Sequence, residues 1–111
     1  MSAAPVVVTA VFHPREGATQ QLVEAMAAGI ALTHAESGCL LYAIHDAADG
    51  TITMLEKWAS AADLEAHATG AAIARLNADI AEHLAAPVVV TVMTPIPAGD
   101  AERGLLHGAG E

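Results

Sequence analysis

The sequence predicts an α+β domain of the ferredoxin-like class, with a four-stranded antiparallel sheet and both helices on one face. Strand-like and helix-like segments follow one another in the order β-α-β-β-α-β, which is the order of that class. The chain has 111 residues, so one domain accommodates all of these elements. The second and third predicted strands are separated by a short turn ending in Asp49-Gly50, a dipeptide typical of a tight hairpin.

The first four elements are predicted from residue type and spacing. Residues 5–13 form a β-branched run that Pro14 closes, because proline cannot donate to the ladder of a sheet. Apolar residues recur at helical spacing from residue 17 to about residue 36, which predicts the first helix over 17–36. The hairpin strands are predicted over 39–46 and 51–59.

The second helical region begins and ends at recognisable signals. Ser60 followed by Asp63 is a capping-box pattern, which predicts the start of the second helix. Thr69-Gly70 predicts a kink in this helix, and Pro87 is expected to end it. The last strand is predicted over 88–96. Residues 1–97 are therefore expected to form the domain, and residues 98–111, which lack a clear period, an irregular or partner-contacting tail.

The composition of the chain argues against two classes of partner, nucleic acid and membrane. The formal net charge is -9, from 13 acidic and 4 basic residues, and such a surface repels the phosphates of nucleic acid. No apolar run approaches the roughly 18 to 20 residues that span a bilayer, and residues 1–5 lack the basic-then-apolar order of a signal peptide. We expect a cytoplasmic protein that binds neither nucleic acid nor membrane.

Cysteine and histidine spacing argues against a structural metal or disulfide. Cys39 is the single cysteine, so it has no partner within the chain. No Cys/His cluster has the spacing of a zinc site. The sequence predicts a protein without a metal.

The predicted strands are apolar on both faces, which favours a homodimer. Two helices cover only one face of a four-stranded sheet, yet the first and last strands carry Val on both faces. An uncovered second face would be a larger apolar patch than soluble monomers usually expose. We therefore expect two subunits, sheet facing sheet.

Five segments of the chain resemble the antibiotic biosynthesis monooxygenase family. They are SGCLLYAIH at residues 37–45, EKW at 56–58, DLEAH at 63–67, PVVV at 87–90 and PIPAGD at 95–100. Each motif is weak alone, but their order and spacing are specific. The resemblance implies a dimeric α/β barrel.

The family is mixed in chemistry, so the resemblance implies a scaffold rather than a substrate. Its members include cofactor-independent oxygenases of aromatic phenols or quinols, heme-degrading enzymes, an isomerase and proteins without an assigned reaction. The positions that heme-degrading members fill with Asn, Trp and a ligating His correspond here to Ala10, His67 and Asn77. The iron ligand is missing, so we expect no heme. Because the sequence also shows no metal motif and no nucleotide-binding loop, we expect no other cofactor.

His67 is the leading candidate for a catalytic base. A neutral imidazole accepts a phenolic proton near neutral pH, and His67 lies in an Ala- and Leu-containing stretch expected to face the sheet. The alternative is a core histidine with one hydrogen bond. Asn77, ten residues later, is a further catalytic candidate that could hold a ligand, or else a helix-surface residue.

The strand candidates are Glu56, Trp58, Tyr42 and His45. Glu56 and Trp58 are two apart and share a face, which suits a pocket wall. Alternatively, Trp58 packs the core and Glu56 pairs across the dimer with a basic residue. Tyr42 and His45 are three apart and lie on opposite faces, so at most one of these two substrate-binding candidates lines the same cavity.

Together these patterns lead to one hypothesis and its alternatives. The hypothesis is an enzyme, a cofactor-independent monooxygenase that oxidises a small phenol or hydroquinone with dioxygen. His67 would accept the phenolic proton, while Trp58 and Tyr42 orient the ring and Asn77 or Glu56 hold its oxygens. The alternatives are an isomerase or a non-catalytic small-molecule-binding protein on the same barrel, and a structural dimer without a ligand.

Overall fold

A computed structural model of the chain describes residues 4–111. Part of the segment used in the signal-peptide argument, residues 1–3, lies outside the described residues. In chain order the elements are β1 Val6–Phe12, α1 Thr19–His34, β2 Cys39–Asp46, β3 Ile52–Trp58, α2 Ala61–Ala68, α3 Ala71–Ile80 and β4 Val89–Met93, with a 3-10 turn at Ala81–His83 before β4.

The strands form one antiparallel sheet in the order β2-β3-β1-β4. This is the ferredoxin-like topology, so the predicted fold class is confirmed. The hairpin between β2 and β3 turns at Gly50, whose φ of 87° favours glycine. Cross-strand pairing places Tyr42 opposite Glu56, and Val8 opposite Glu56 on its other side.

The second helical region is two helices rather than one kinked helix. Ser60 caps α2 as expected, its hydroxyl accepting a hydrogen bond from the Asp63 N–H at 3.1 Å. Gly70 has extended backbone, with φ -93° and ψ 177°, and serves as the N-cap of α3. The Gly70 N–H donates back to the His67 carbonyl, and the Gly70 carbonyl accepts the first hydrogen bond of α3 from the Ala74 N–H.

The last elements are shorter than their sequence patterns suggest. α3 ends at Ile80 and continues as the 3-10 turn, so Pro87 lies beyond the end of the helix. β4 spans Val89–Met93 instead of 88–96, because Met93 already pairs with Val7 near the start of β1. Pro95 and Pro97 then offer no backbone donors for further pairing.

The core lies between the helices and one face of the sheet. Alternate residues of β1, namely Val8, Ala10 and Phe12, are buried there. They pack in one cluster with Leu22 and Met26 of α1, Leu76 and Ile80 of α3, and Tyr42, Ile52, Met54 and Trp58 of the sheet. This face also carries the candidate site.

The other face of the sheet, here called the second face, is partly covered by the chain's own tail. Lys57 of β3 is 4% exposed, and its ammonium donates to the Leu106 carbonyl and the Glu111 carboxylate, both at 2.7 Å. The Ala109 N–H donates to the Leu40 carbonyl at 2.8 Å. The tail has turns but no helix or strand, and it covers the β2–β3 half of this face.

The β4 half of the second face stays exposed. Val89 and Met93 of β4 point to this face, and they are 55% and 37% exposed. In residues 4–111, no helix has both the length and the apolar character required of a transmembrane segment.

Candidate active site

Four of the predicted site residues meet on the helix-facing side of the sheet. Glu56 and Trp58 are two apart on β3 and point to the same side, and Tyr42 is the cross-strand partner of Glu56. His67 descends onto them from the last turn of α2. All four side chains are buried.

The three rings form a compact group around His67. The His67 ring lies over Trp58 with centroids 4.6 Å apart and planes tilted by 31°. Tyr42 meets His67 edge to face at 5.3 Å and Trp58 at 6.3 Å. Such contacts hold each ring in one orientation, because aromatic pairs favour tilted, offset or edge-to-face geometry.

Two ring nitrogens of the cluster are each paired with a carboxyl oxygen. Trp58 Nε1 donates to Glu56 Oε1 at 3.0 Å. His67 Nδ1 lies 2.6 Å from Oε1 of Glu36, a residue in the turn that follows α1. The opposite ring nitrogen, His67 Nε2, has no hydrogen-bond partner within residues 4–111. No fully buried side-chain nitrogen or oxygen in these residues lacks a partner, so Nε2 is not completely enclosed.

Burial changes the acid strength of two groups in the cluster. The apolar surroundings raise the pKa of Glu56, although the Trp58 N–H and the nearby His67 ring act in the opposite direction. Burial and the Glu56 carboxylate likewise raise the pKa of Tyr42. Glu56 therefore resists ionisation more than an ordinary carboxyl group, which suits a hydrogen-bond or proton donor.

Two adjoining cavities open beside these residues, each of about 240 Å³. Both are lined by Glu56, Ile73 and Val90, so they form one cleft between α2–α3 and the β1, β3 and β4 strands. His67 lines one cavity and Tyr42 the other. Small-molecule sites commonly occupy roughly 300–1,000 Å³, and the two cavities together are of that order.

Trp58, Asn77 and His45 occupy different places relative to this cleft. Trp58 is fully buried behind Glu56 and His67 and lines neither cavity. Asn77 is exposed and lies at the rim of the Tyr42 cavity. His45 is exposed at the end of β2, with Nδ1 3.3 Å from the Thr53 carbonyl, and lines a separate cavity of about 490 Å³ against the start of α1.

The contacts of Glu56 also bear on the alternative roles considered for it. Glu56 points toward the helices and bonds Trp58, so it faces away from the surface on which a sheet-to-sheet partner would lie. Pairing with a basic residue across such a dimer is not available to it.

Glu36 is the site residue that the sequence patterns did not indicate. It is 31 positions from His67, and no short motif joins the two. One weak signal exists: a carboxylate just beyond the end of α1 is repelled by the negative end of the helix dipole. Such a residue is stabilised by a donor elsewhere in the fold, and here the donor is His67.

The fold and the cleft define a small ferredoxin-like protein whose pocket is lined by a buried histidine that one carboxylate holds and that packs against two aromatic rings. Residues 5–79 match the family described as Antibiotic biosynthesis monooxygenase. A relative from Mycobacterium tuberculosis named "Putative monooxygenase Rv0793" is 36% identical over 93 residues, which cover 83% of this chain and 92% of that protein. The chain belongs to the antibiotic biosynthesis monooxygenase family.

Solved structures agree with this assignment. The structure of Rv0793 matches with a TM-score of 0.77 at 34% identity, over 87% of this chain and 100% of that chain. A Nitrosomonas europaea protein described as "Putative antibiotic biosynthesis monooxygenase" matches with a TM-score of 0.77 at 19% identity, over 89% of this chain and 98% of that chain. At that lower identity the likeness concerns the fold alone.

Proposed function

We propose that this protein is a cofactor-independent monooxygenase that oxidises a small phenol or hydroquinone with dioxygen. The observation that carries the proposal is the arrangement of His67, which lines the cleft. Its Nδ1 is held by Glu36, while Nε2 has no partner among the described residues and is not completely enclosed. A ring nitrogen so placed can accept the hydroxyl proton of a bound phenol. Membership of a family whose relatives are named monooxygenases agrees with it.

In the proposed reaction, all four electrons that reduce dioxygen come from the substrate. His67 Nε2 accepts the phenolic proton, and the phenolate gives one electron to dioxygen. The resulting radicals couple at a ring carbon that bears hydrogen, which forms a carbon–oxygen bond and then a hydroperoxide. Loss of the ring proton breaks the oxygen–oxygen bond and leaves a carbonyl, while the departing hydroxide takes a proton and becomes water.

The remaining side chains of the cleft would bind and orient the substrate. Tyr42 and Glu56 line the cavity as hydrogen-bonding groups, and the raised pKa of Glu56 favours its donating form. Apolar Ile73 and Val90 would contact the ring faces. Trp58 would not contact the substrate. It would hold Glu56 by a hydrogen bond and His67 by ring contact. Asn77 would meet the substrate only at the rim.

Oxygen uptake with a panel of phenols and hydroquinones tests the proposal. We expect His67→Ala and His67→Phe each to lower turnover of an accepted substrate by about 10²-fold or more, the usual scale for the loss of a general base. Phe keeps most of the bulk, so equal losses in both variants point to lost basicity rather than lost packing. His45→Ala is the matched control, because His45 lies outside the cleft and its loss should leave turnover unchanged.

The opposite pattern would remove His67 from the mechanism. If His67 only fills the core, His67→Ala should lower the free energy of unfolding by roughly a kcal/mol or more through a cavity. His67→Phe would then retain activity.

An isomerase is the second candidate, and a specific feature favours it. Glu56, whose pKa is raised by burial, and His67 line the same cavity, and a carboxyl group and an imidazole so placed can move a proton between two atoms of one substrate. This reaction consumes no oxygen. Substrate turnover that continues unchanged under anaerobic conditions would favour the isomerase.

A further inference from the structure

Glu36 is the only carboxylate among the described residues that pairs with the His67 ring. Its side chain is more exposed to solvent than the ring it contacts. Glu36 Oε1 lies 2.6 Å from His67 Nδ1, and the two side chains are 25% and 5% exposed. Glu36 thus reaches from the molecular surface to a ring that is otherwise enclosed. Three elements contribute to this contact: the turn after α1, the end of α2, and the break before α3.

The break at Gly70 leaves room for the Glu36 carboxylate. A Cβ atom at Gly70 would stand 3.3 Å from Glu36 Oε2 and 3.0 Å from the Ala66 carbonyl oxygen. Both distances are tighter than ordinary contacts, so a side chain here would press on the carboxylate that holds His67. The position of Glu36 is therefore defined by its surroundings as well as by its hydrogen bond.

We propose that Glu36 is a positioning residue that selects the tautomer of His67 and stabilises the ring when it becomes charged. A carboxylate only accepts hydrogen bonds, so it favours the tautomer with the proton on Nδ1. Nε2 is then the unprotonated nitrogen, and it is the one left without a partner on a residue that lines the cleft. After Nε2 accepts a proton, the Glu36 carboxylate faces an imidazolium, a charge-assisted pair stronger than the neutral one.

The other titratable groups near His67 do not perform this role. Glu56 of β3 bonds the Trp58 N–H, and Tyr42 of β2 meets the ring only by its edge. Cys39 lies at the start of β2. The pKa of its thiol is raised mainly by burial and secondly by the nearby Glu36 carboxylate. Of these groups, only Glu36 is hydrogen-bonded to a His67 nitrogen.

The inference about catalysis rests on the proposed function, but the inference about the tautomer does not. Nitrogen-15 NMR of the imidazole ring reports directly which nitrogen carries the proton, with no substrate present. In the unmodified protein at a pH where the ring is neutral, we expect the proton on Nδ1. A proton on Nε2 would overturn the proposal whatever the activity of the protein.

Three variants separate charge from packing. Glu36→Gln keeps the size, but its amide can donate as well as accept, so we expect a mixture of tautomers. Glu36→Ala removes the partner, and Glu36→Asp keeps the charge and should restore the Nδ1 proton in part. Glu65→Gln is the matched control, because Glu65 is an exposed carboxylate on α2 that should leave the NMR spectrum of His67 unchanged.

Kinetics with any accepted hydroquinone provides the second measurement. We expect Glu36→Gln to lower kcat by about 10-fold or more with little change in KM, since the carboxylate acts mainly on the charged ring of the transition state. Unchanged kcat with lowered thermal stability would overturn the catalytic role. Glu36 would then only stabilise the packing of the end of α1 against α2. If no substrate is oxidised at all, the proposed function fails, while the NMR result still decides the tautomer.

Discussion

Glu56 shows at the scale of one residue how burial couples ionisation to stability. Its carboxyl group lies among apolar side chains, with the Trp58 N–H as its hydrogen-bond donor. Burial raises its pKa in the folded protein, so the folded state binds the proton more tightly than the unfolded chain. This contribution to stability is present below the unfolded pKa and is lost as the pH rises through the folded pKa.

We therefore predict that Glu56→Gln raises the melting temperature at pH 7. Gln keeps an oxygen that can accept the Trp58 N–H, but it never ionises. The gain should shrink toward acidic pH, where Glu56 is protonated in both states. Melting curves of the two proteins from pH 4 to pH 8 measure this, and Glu65→Gln on the surface of α2 serves as the control. A gain that does not depend on pH would contradict the assignment to ionisation.

The site residues differ in how far local patterns could find them. Glu56 and Trp58 were expected to share a strand face, and they do, because side chains alternate along a strand. The position of Tyr42 opposite Glu56 follows from the register of β2 and β3, which only the structure gives. His67 was chosen from the chemistry of imidazole, its place on the predicted helix and the family resemblance together. Glu36 could not be found in this way, since its contact with His67 depends on how two helix ends are arranged in space.

At the scale of elements, Gly29 governs how closely α1 approaches α3. A Cβ atom at Gly29 would lie 2.7 Å from Leu76 Cβ and 2.9 Å from Leu76 Cα, so the helices nearly touch through their backbones. Leu76 also lines the Tyr42 cavity. The absence of a side chain at position 29 therefore influences the shape of the cleft from the opposite side of α3.

Gly29→Ala should destabilise the protein although alanine is the better helix former. We expect a loss of about 1–3 kcal/mol in the free energy of unfolding, because overpacking forces α1 and α3 apart. Ala27→Gly, at an exposed position of the same helix, measures the intrinsic cost of glycine, about 1 kcal/mol, without contact with α3. Urea unfolding of both variants gives the comparison, and a stabilised Gly29→Ala would show that the helices can separate freely.

The second helical region illustrates why element ends are hard to predict. The capping pattern at Ser60 is local and gave the start of α2 correctly. Gly70 indicated an interruption, but a kink and a complete break have the same sequence signal. The structure shows the complete break, with the Glu36 carboxylate and the Ala66 carbonyl lying close to Gly70.

At the scale of the whole molecule, we propose a homodimer in which a second copy covers the exposed half of the second face. The tail occupies the β2–β3 half, while Val89 and Met93 stay exposed beside the free edge of β4. Apolar side chains on an unpaired edge strand favour association. A two-fold axis lets the same β4 surface serve both subunits.

Light scattering at micromolar concentration should give twice the 11.2 kDa mass of the monomer. Val89→Glu should shift the protein toward the monomer, because it places a charge on the proposed interface but not in the cleft. Leu32→Glu is the control, since Leu32 lies on α1, away from the sheet. Its side chain is 48% exposed, which is close to the 55% of Val89. A monomeric mass for the unmodified protein would exclude the dimer at that concentration.

The sequence by itself determined the order of elements, the hairpin, the helix cap and the strand face shared by Glu56 and Trp58. Each depends on neighbours within a few residues, whose spacing and chemistry the chain states directly. Only the tertiary structure decided the pairing of Glu36 with His67, the separation of His45 from the cleft, and the tail that ends on Lys57. These contacts join residues distant in sequence, and they depend on the packing of helices and tail against the sheet, which no local pattern encodes.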